Sequence, residues 1–287
     1  MEKMAKVQPI LTGSLILVIC QAFTFWVAAQ VKDFLETSQI LLPRVSLQLP
    51  LLYFFAAVVL IGVILFLIPI SKLRLVLKIV FAFLYSWGVF IALALPLPVF
   101  AAAAIAIVSG LMWLLKPRIW LHNLLLAFTL VSVGAIFGFL FSPWTFLAFM
   151  AVVSVYDILA VRFGYMLWLV RKLSESEVLP AFVIPRKATS WNVSLAGEDL
   201  KKIMHSESGE REFSILGGGD IGFPLMLVIS VFSTYGFADS LIVAAFSLFG
   251  LICAYCIQLF LLKGKPMPAL PPICFLSCIG FAIVYFT

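Results

Sequence analysis

Apolar residues in this chain fall into nine blocks, each close to the roughly 20 residues a helix needs to cross a bilayer. The blocks are 10–29, 51–70, 75–95, 97–115, 119–141, 143–168, 214–235, 238–262 and 268–286. Only Leu95–Pro98 separates the third from the fourth, and Phe141–Pro143 the fifth from the sixth. Proline stops one helix and starts the next, so both breaks predict tight helical hairpins. The one long hydrophilic break is 171–213. The pattern predicts an all-α polytopic membrane protein with nine transmembrane helices. Residues 1–170 hold spans one to six, 171–213 form a loop, and 214–287 hold spans seven to nine.

Composition agrees with the pattern. Of 287 residues, 64% are hydrophobic and 11% charged, and mean hydropathy is +1.19. Soluble domains are about half apolar with about a quarter of their residues charged. The net charge of +6 then reads as a topology signal, not a nucleic-acid footprint. Of the 19 Lys and Arg, 16 fall on one side. They are Lys3 and Lys6, then Lys72, Arg74 and Lys78, then Lys116 and Arg118. Seven more lie in 171–213, followed by Lys263 and Lys265. Lys32 and Arg44 fall on the other side, and Arg162 lies in span six. The positive-inside rule puts the N-terminus and the long loop in the cytoplasm and the C-terminus outside. No cleavable signal peptide stands out. The five cysteines lie inside apolar runs, and although Cys253-x-x-Cys256 has metal-like spacing, they read as small core residues. No metal or cofactor is expected.

Charge inside the spans points to chemistry. Of 13 acids, only Asp157 in span six and Asp220 in span seven have no loop to occupy; Asp239 sits beside a short one. An ionised group at bilayer depth costs at least about 2.5–3.5 kcal/mol and usually marks function. Arg162, five residues after Asp157, sits about 140° around the helix. It reads as a snorkelling side chain, not a partner. Asp220 stands eight residues past Glu212, about 12 Å at helical rise, so both acids can share the cytoplasmic half. Two carboxyls sharing a dry site hold one proton between them. The ionised one can activate water and the protonated one can donate to a carbonyl, which is aspartic-protease chemistry. The same residues also suit a transporter or channel that uses the two acids as proton or cation ligands.

The flanks are unusual for a span. Gly217, Gly218 and Gly219 precede Asp220, and Pro224 follows it by four residues. The glycines permit close backbone approach or unwinding, and Pro224 deprives the Asp220 carbonyl of its helical partner. Gly218-x-x-x-Gly222 is also a helix-packing pattern. Lys265–Pro272 carries four prolines in eight residues and cannot be regular helix.

These elements resemble the presenilin and signal peptide peptidase family of intramembrane aspartyl proteases. Its signatures are Tyr-Asp in span six, Gly-x-Gly-Asp in span seven and Pro-Ala-Leu opening span nine. They match Tyr156-Asp157, Gly217-Gly218-Gly219-Asp220 and Pro268-Ala269-Leu270. Ser154–Val161 looks more presenilin-like and Gly219–Pro224 closer to signal peptide peptidase, which suggests an archaeal homologue of both in a prokaryotic cell membrane. The resemblance implies that Asp157 and Asp220 form the catalytic dyad. It also implies that Tyr156, Gly217, Gly218, Gly219, Pro268, Ala269 and Leu270 bind substrate and shape the site. The expected partners are transmembrane-helix peptide substrates and the lipid bilayer, with further copies of the chain as an open case. Short loops suit single-subunit action.

A substrate helix must unwind before water can attack it. An extended segment could then pair with exposed backbone near Gly217–Gly219 or Pro268–Leu270. The loop 171–213 corresponds in position to the loop cut during presenilin maturation. Within it, Val178–Pro185 reads as an ordinary packed loop ahead of a membrane-surface or site-blocking segment. No His-Glu-x-x-His zinc motif is present. His122 reads as an interfacial residue, and His205 lies in the loop, so a Ser–His dyad lacks a base.

Overall fold

The computed structural model describes residues 2–40, 42, 48–68, 70–165, 168–169, 173, 175–197, 212–262 and 267–287. Nine α-helices are delimited among them: α1 (Glu2–Thr37), α2 (Gln48–Leu67), α3 (Ile70–Leu93), α4 (Val99–Leu115), α5 (Ile119–Leu140), α6 (Pro143–Arg162), α7 (Gly218–Tyr235), α8 (Phe237–Cys256) and α9 (Leu270–Phe286). Six described segments are long and apolar enough to cross a membrane. They are Gln8–Thr37, Lys72–Leu93, Ile119–Leu140, Pro143–Arg162, Gly218–Tyr235 and Phe237–Leu261. Within α2 the stretch Phe55–Ile64 is apolar, and Val99–Leu115 and Leu270–Phe286 are shorter apolar helices. Lys3 and Lys6 lie where side chains are not described, and Lys265 and Pro266 outside the described residues.

The first expected hairpin forms, with α3 packed on α4; the second is only a tight turn, because α5 and α6 diverge from it and each packs on α7. Pro98 caps α4 after a break that follows Leu93. Ser142 caps α6 by accepting from the Thr145 N–H at 3.2 Å, and Pro143 occupies the first helical position, where its missing N–H costs nothing.

The core lies around α7, which packs against α1, α5, α6, α8 and α9. It is the most buried of the six spans. Gly134 and Gly138 of α5 let it come close: Cβ atoms there would lie 3.0 and 2.5 Å from the Cβ atoms of Leu225 and Ile229. This is small-residue packing, the main device for joining helices where lipid removes the hydrophobic drive. A polar contact ties α1 in: the Gln21 amide donates to Ala244 O at 3.1 Å and to Ser247 Oγ at 2.9 Å, both on α8. By contrast, α2 stands away from α6 across an apolar groove of about 560 Å³.

Two expectations are corrected here. The start of span seven is not helix: Phe213–Gly217 is strand β2, antiparallel to strand β1 (Ala181–Pro185) in the long loop. Helical rise therefore does not measure the depth of Asp220, because five of the eight intervening steps are strand at about 3.3 Å each. Val178–Pro185 is likewise not an ordinary packed loop, since its last five residues are β1 and all are buried. Side chains alternate across the strand. Phe182 and Ile184 join the main core, while Ala181 and Val183 join a second cluster with Ile119, Leu179, Leu195 and Phe213. Burial on both faces explains why the stretch reads as a continuous apolar run.

The start of α5 holds β1 in place. Asn123 donates to Val183 O at 2.7 Å and accepts from Val183 N at 3.0 Å, and His122 Nε2 lies 3.0 Å from Ala181 O. His122 is 1% exposed and also meets the Tyr85 hydroxyl at 3.2 Å, so it is a buried clamp and not an interfacial residue. Arg74 and Lys78 of α3 form ion pairs with Glu177, which also accepts from the Gly197 N–H at 2.9 Å. Arg118 donates to Asn192 Oδ1 at 2.7 Å. The breaks after α2, α4 and α6 therefore meet at one end of the bundle.

Candidate active site

Asp220 owes its position to the junction of β2 and α7. Gly217 is the N-cap of α7, which makes Asp220 its third residue. A carboxylate there can reach back to the N-cap amide, as in a capping box, and faces the positive end of the helix dipole. The bond forms: the Gly217 N–H donates to the Asp220 carboxylate. Gly217 also leaves room for that carboxylate, because a Cβ there would lie 2.9 Å from Asp220 Oδ2 and displace it. Gly218 donates its N–H to Pro180 O at 3.0 Å, and a Cβ on it would crowd that oxygen. Gly218 and Gly222 both face Leu130 of α5, so the packing pattern noted in the sequence is also used. A Cβ on Gly219 would meet only Phe223 of its own helix.

Asp157 is half-buried, five residues before the end of α6. Its carboxylate accepts from the backbone N–H of Leu270, the first residue of α9. Pro268 and Ala269 lead into that residue, and Pro271 and Pro272 follow it in the first turn. Prolines tolerate a helix N-terminus, and the Leu270 N–H is one of the donors that such an end leaves free. Leu270 anchors the turn with a side chain only 3% exposed. The two carboxyl groups stand within range for their charges to act on one another. Each is thus held by one backbone amide, Asp220 from the end of β2 and Asp157 from the Pro-Ala-Leu turn.

A small cavity of about 70 Å³ opens beside Asp220, bounded by Leu216 of β2, Tyr255 of α8, Gln258, Met267 and Ala269. That is room for water. Gln258 lies in the π-turn Ile257–Leu261 that ends the α8 segment. Asp157 does not line this cavity. Tyr156 turns elsewhere: it lines the apolar groove facing α2, where its phenol bonds that of Tyr165. Gly62 of α2 leaves room for the Tyr165 hydroxyl, which a Cβ would approach to 3.2 Å. Arg162 is the exposed last residue of α6, as snorkelling requires.

Register defines a further feature. Val183 spends its N–H and C=O on Asn123, away from β2, so Val183 and Ile215 form a non-hydrogen-bonded pair. The neighbouring bonds Arg186 N–H to Glu212 O (2.9 Å) and Gly218 N–H to Pro180 O (3.0 Å) fit this phase. Phe213, Ile215 and Gly217 therefore point their backbone groups away from β1. Among the described residues no strand pairs with that edge, and Ile215 is 40% exposed. Sequence reasoning expected exposed backbone near Gly217–Gly219 but missed the strand Phe213–Gly217 that presents it, and with it Asn123, Glu177, Tyr255 and Gln258.

The family described as signal-peptide peptidase, presenilin aspartyl protease matches residues 14–287. One solved structure of similar fold is a presenilin family intramembrane aspartate protease in space group C222. It has a TM-score of 0.64 at 19% identity and covers 97% of this chain and 99% of its own. Another, in space group P2, has a TM-score of 0.57 at 20% identity, with 97% and 98% coverage. No curated protein sequence matches the chain.

Proposed function

Since the chain belongs to the signal-peptide peptidase and presenilin aspartyl protease family, and is a multi-pass membrane protein, we propose that it is an intramembrane protease of the Gly-x-Gly-Asp type that cleaves peptide bonds within transmembrane helices of membrane-protein substrates, using Asp157 and Asp220 as its catalytic pair. One observation carries the reading: two acids from different helices converge, and each is oriented by a backbone amide of a family motif, Gly217 for Asp220 and Leu270 for Asp157.

In this reading the pair holds one proton. The ionised carboxylate takes a proton from water as it attacks the substrate carbonyl, and the protonated one donates to the carbonyl oxygen. The amide bonds keep each carboxyl aimed without a reorganisation step. An unwound substrate segment adds as a strand to the outer edge of β2, which continues directly into Asp220. Helices α2, α4 and α9 complete a nine-span bundle, with the N-terminus, the sheet and the basic loops in the cytoplasm. The basic residues Arg74, Lys78 and Arg118 sit at the same end as the sheet, which supports that orientation.

The test is cleavage of a synthetic transmembrane-helix peptide by the purified chain in detergent, with products read by mass spectrometry. Wild type is expected to cut within the span, and Asp157→Ala and Asp220→Ala each to lose about a thousandfold or more in rate. Wild-type cleavage by either variant overturns the dyad. Reporter fusions at the two chain ends test orientation, and a cytoplasmic C-terminus would contradict it.

A further inference from the structure

Tyr255 sits at the end of α8 and lines the cavity beside Asp220. The residue is 7% exposed, and no protein group among the described residues bonds its hydroxyl. Buried hydroxyls normally have a partner, because leaving one unpaired forfeits its hydration. Packing does not explain the oxygen, since phenylalanine would fill the space of the ring. The oxygen is nonetheless accommodated: it lies against Gly13 of α1, where a Cβ would come within 2.5 Å of it. Asp220 stands close enough for its charge to act on the phenol. After Cys256, the residue following Tyr255, the helix changes to the π-turn Ile257–Leu261. Such turns are frequent at functional sites, and this one brings Gln258 to the same cavity.

Unwinding a substrate helix releases carbonyl oxygens that have lost their helical donors, in a space with little water to replace them. A site that cuts helices therefore needs donors with no other commitment. Ionised carboxylates only accept, whereas a phenol donates. We propose that the Tyr255 phenol is a substrate-contacting group of this site, donating its hydrogen bond to a backbone carbonyl of the unwound segment beside Asp220. This rests on the reading of Asp157 and Asp220 as the dyad. Because no group among the described residues bonds the hydroxyl in the resting fold, its removal is expected to leave folding intact and to fall on substrate.

The experiment compares wild type with Tyr255→Phe, full-length and purified, on a synthetic transmembrane-helix peptide. The variant is expected to melt at the wild-type temperature and to lose about tenfold in kcat/KM, mainly through KM. A second measurement replaces single amides of the peptide by esters, whose carbonyls accept hydrogen bonds weakly. One position near the cut is expected to slow wild type and to have no further effect on Tyr255→Phe. Wild-type kinetics for Tyr255→Phe sink the proposal. So does equal sensitivity of both proteins at every ester position, or a variant that does not fold, since the hydroxyl would then serve the resting structure. If Asp220→Ala is inactive while Tyr255→Phe is unimpaired, the dyad stands and only the role of Tyr255 falls. If Asp220→Ala still cuts, both readings fall.

Discussion

The backbone N–H of Leu270 donates to the carboxylate of Asp157, joining the first residue of α9 to a side chain inside α6. This gives the Pro-Ala-Leu run a physical task. Its prolines place a helix start, with its free amides, beside a carboxylate in a setting that offers few other donors. Gly217 does the same for Asp220. The two motifs have one logic, in which backbone amides, fixed by strand and helix ends, orient side chains that would otherwise be free to rotate.

That logic separates the roles of the Leu270 amide and its side chain. Leu270→Ala keeps the N–H and removes a side chain that is 3% exposed, so it is expected to cost about 2–5 kcal/mol of stability. Leu270→Pro removes the same side chain and also the N–H at the first helical position, while disfavouring the αR conformation of Ala269, so both variants are compared per folded molecule. Cleavage per folded molecule, with folded protein counted by its melting transition, is expected to survive largely in the alanine variant and to fall at least about a hundredfold in the proline variant. Equal activity in the two would mean that the Leu270 amide does not orient Asp157.

Gly217→Ala tests the other carboxylate. Gly217 has φ −58° and ψ 138°, backbone that any residue adopts, so no strain arises there. The new methyl would meet Asp220 Oδ2 at 2.9 Å and push the carboxylate aside. A displacement on the order of 1 Å at a reacting group costs about a hundredfold in rate. Activity is therefore expected to drop by that order with little change in melting temperature. Gly219→Ala, whose methyl meets only the Phe223 ring at 3.3 Å, is the milder control in the same assay.

Much of this was legible in the sequence, for particular reasons. The apolar blocks are the helices because lipid-embedded backbone must satisfy itself within each segment. Asp157 and Asp220 stood out because every other acid lies in or beside a loop. The sheet was hidden by composition. Phe213–Gly217 is apolar and abuts an apolar helix, so it merged into span seven, and its partner lies in a hydrophilic break where charge outweighs a five-residue strand. Asn123 and His122 were obscured because a polar residue near the end of a span ordinarily reaches for the interface. Here each reaches a strand that only the folded chain brings there. Tyr255 has no spacing signal, and its interest arises only from the cavity it borders and from a hydroxyl with no partner among the described residues.

The clamp on β1 predicts a stability effect away from the carboxylates. Asn123 satisfies both backbone groups of Val183 and is 7% exposed. Asn123→Leu has similar volume and leaves that N–H and C=O buried without partners. At about 1–3 kcal/mol for each unsatisfied group, the loss is expected to be about 2–6 kcal/mol. Denaturant unfolding in detergent measures it, and hydrogen exchange at Val183 should accelerate more than exchange in α8. A variant as stable as wild type would show that water or a shifted strand replaces the amide at little cost.

The open edge of β2 yields the sharpest prediction. Ile215 opposes Val183, whose backbone bonds face Asn123, so the Ile215 N–H points away from β1 and is not part of the ladder. Proline is tolerated on an edge whose N–H faces outward, and it pushes the preceding residue toward the extended conformation a strand already has. Ile215→Pro is therefore expected to keep the β1–β2 pairing and the melting temperature while removing one donor for an incoming substrate strand. Leu216→Pro, one position on, strikes an inward-facing N–H that bonds β1 and a side chain that is 3% exposed, so it should destabilise the sheet itself. If substrate adds to this edge, Ile215→Pro loses about tenfold or more in cleavage of a helical substrate with its fold intact. Strong helix formers placed around the cut site should slow wild type in the same way, because they oppose the extended form that the edge must capture. Full activity of a folded Ile215→Pro variant would mean that substrate does not use the Ile215 amide.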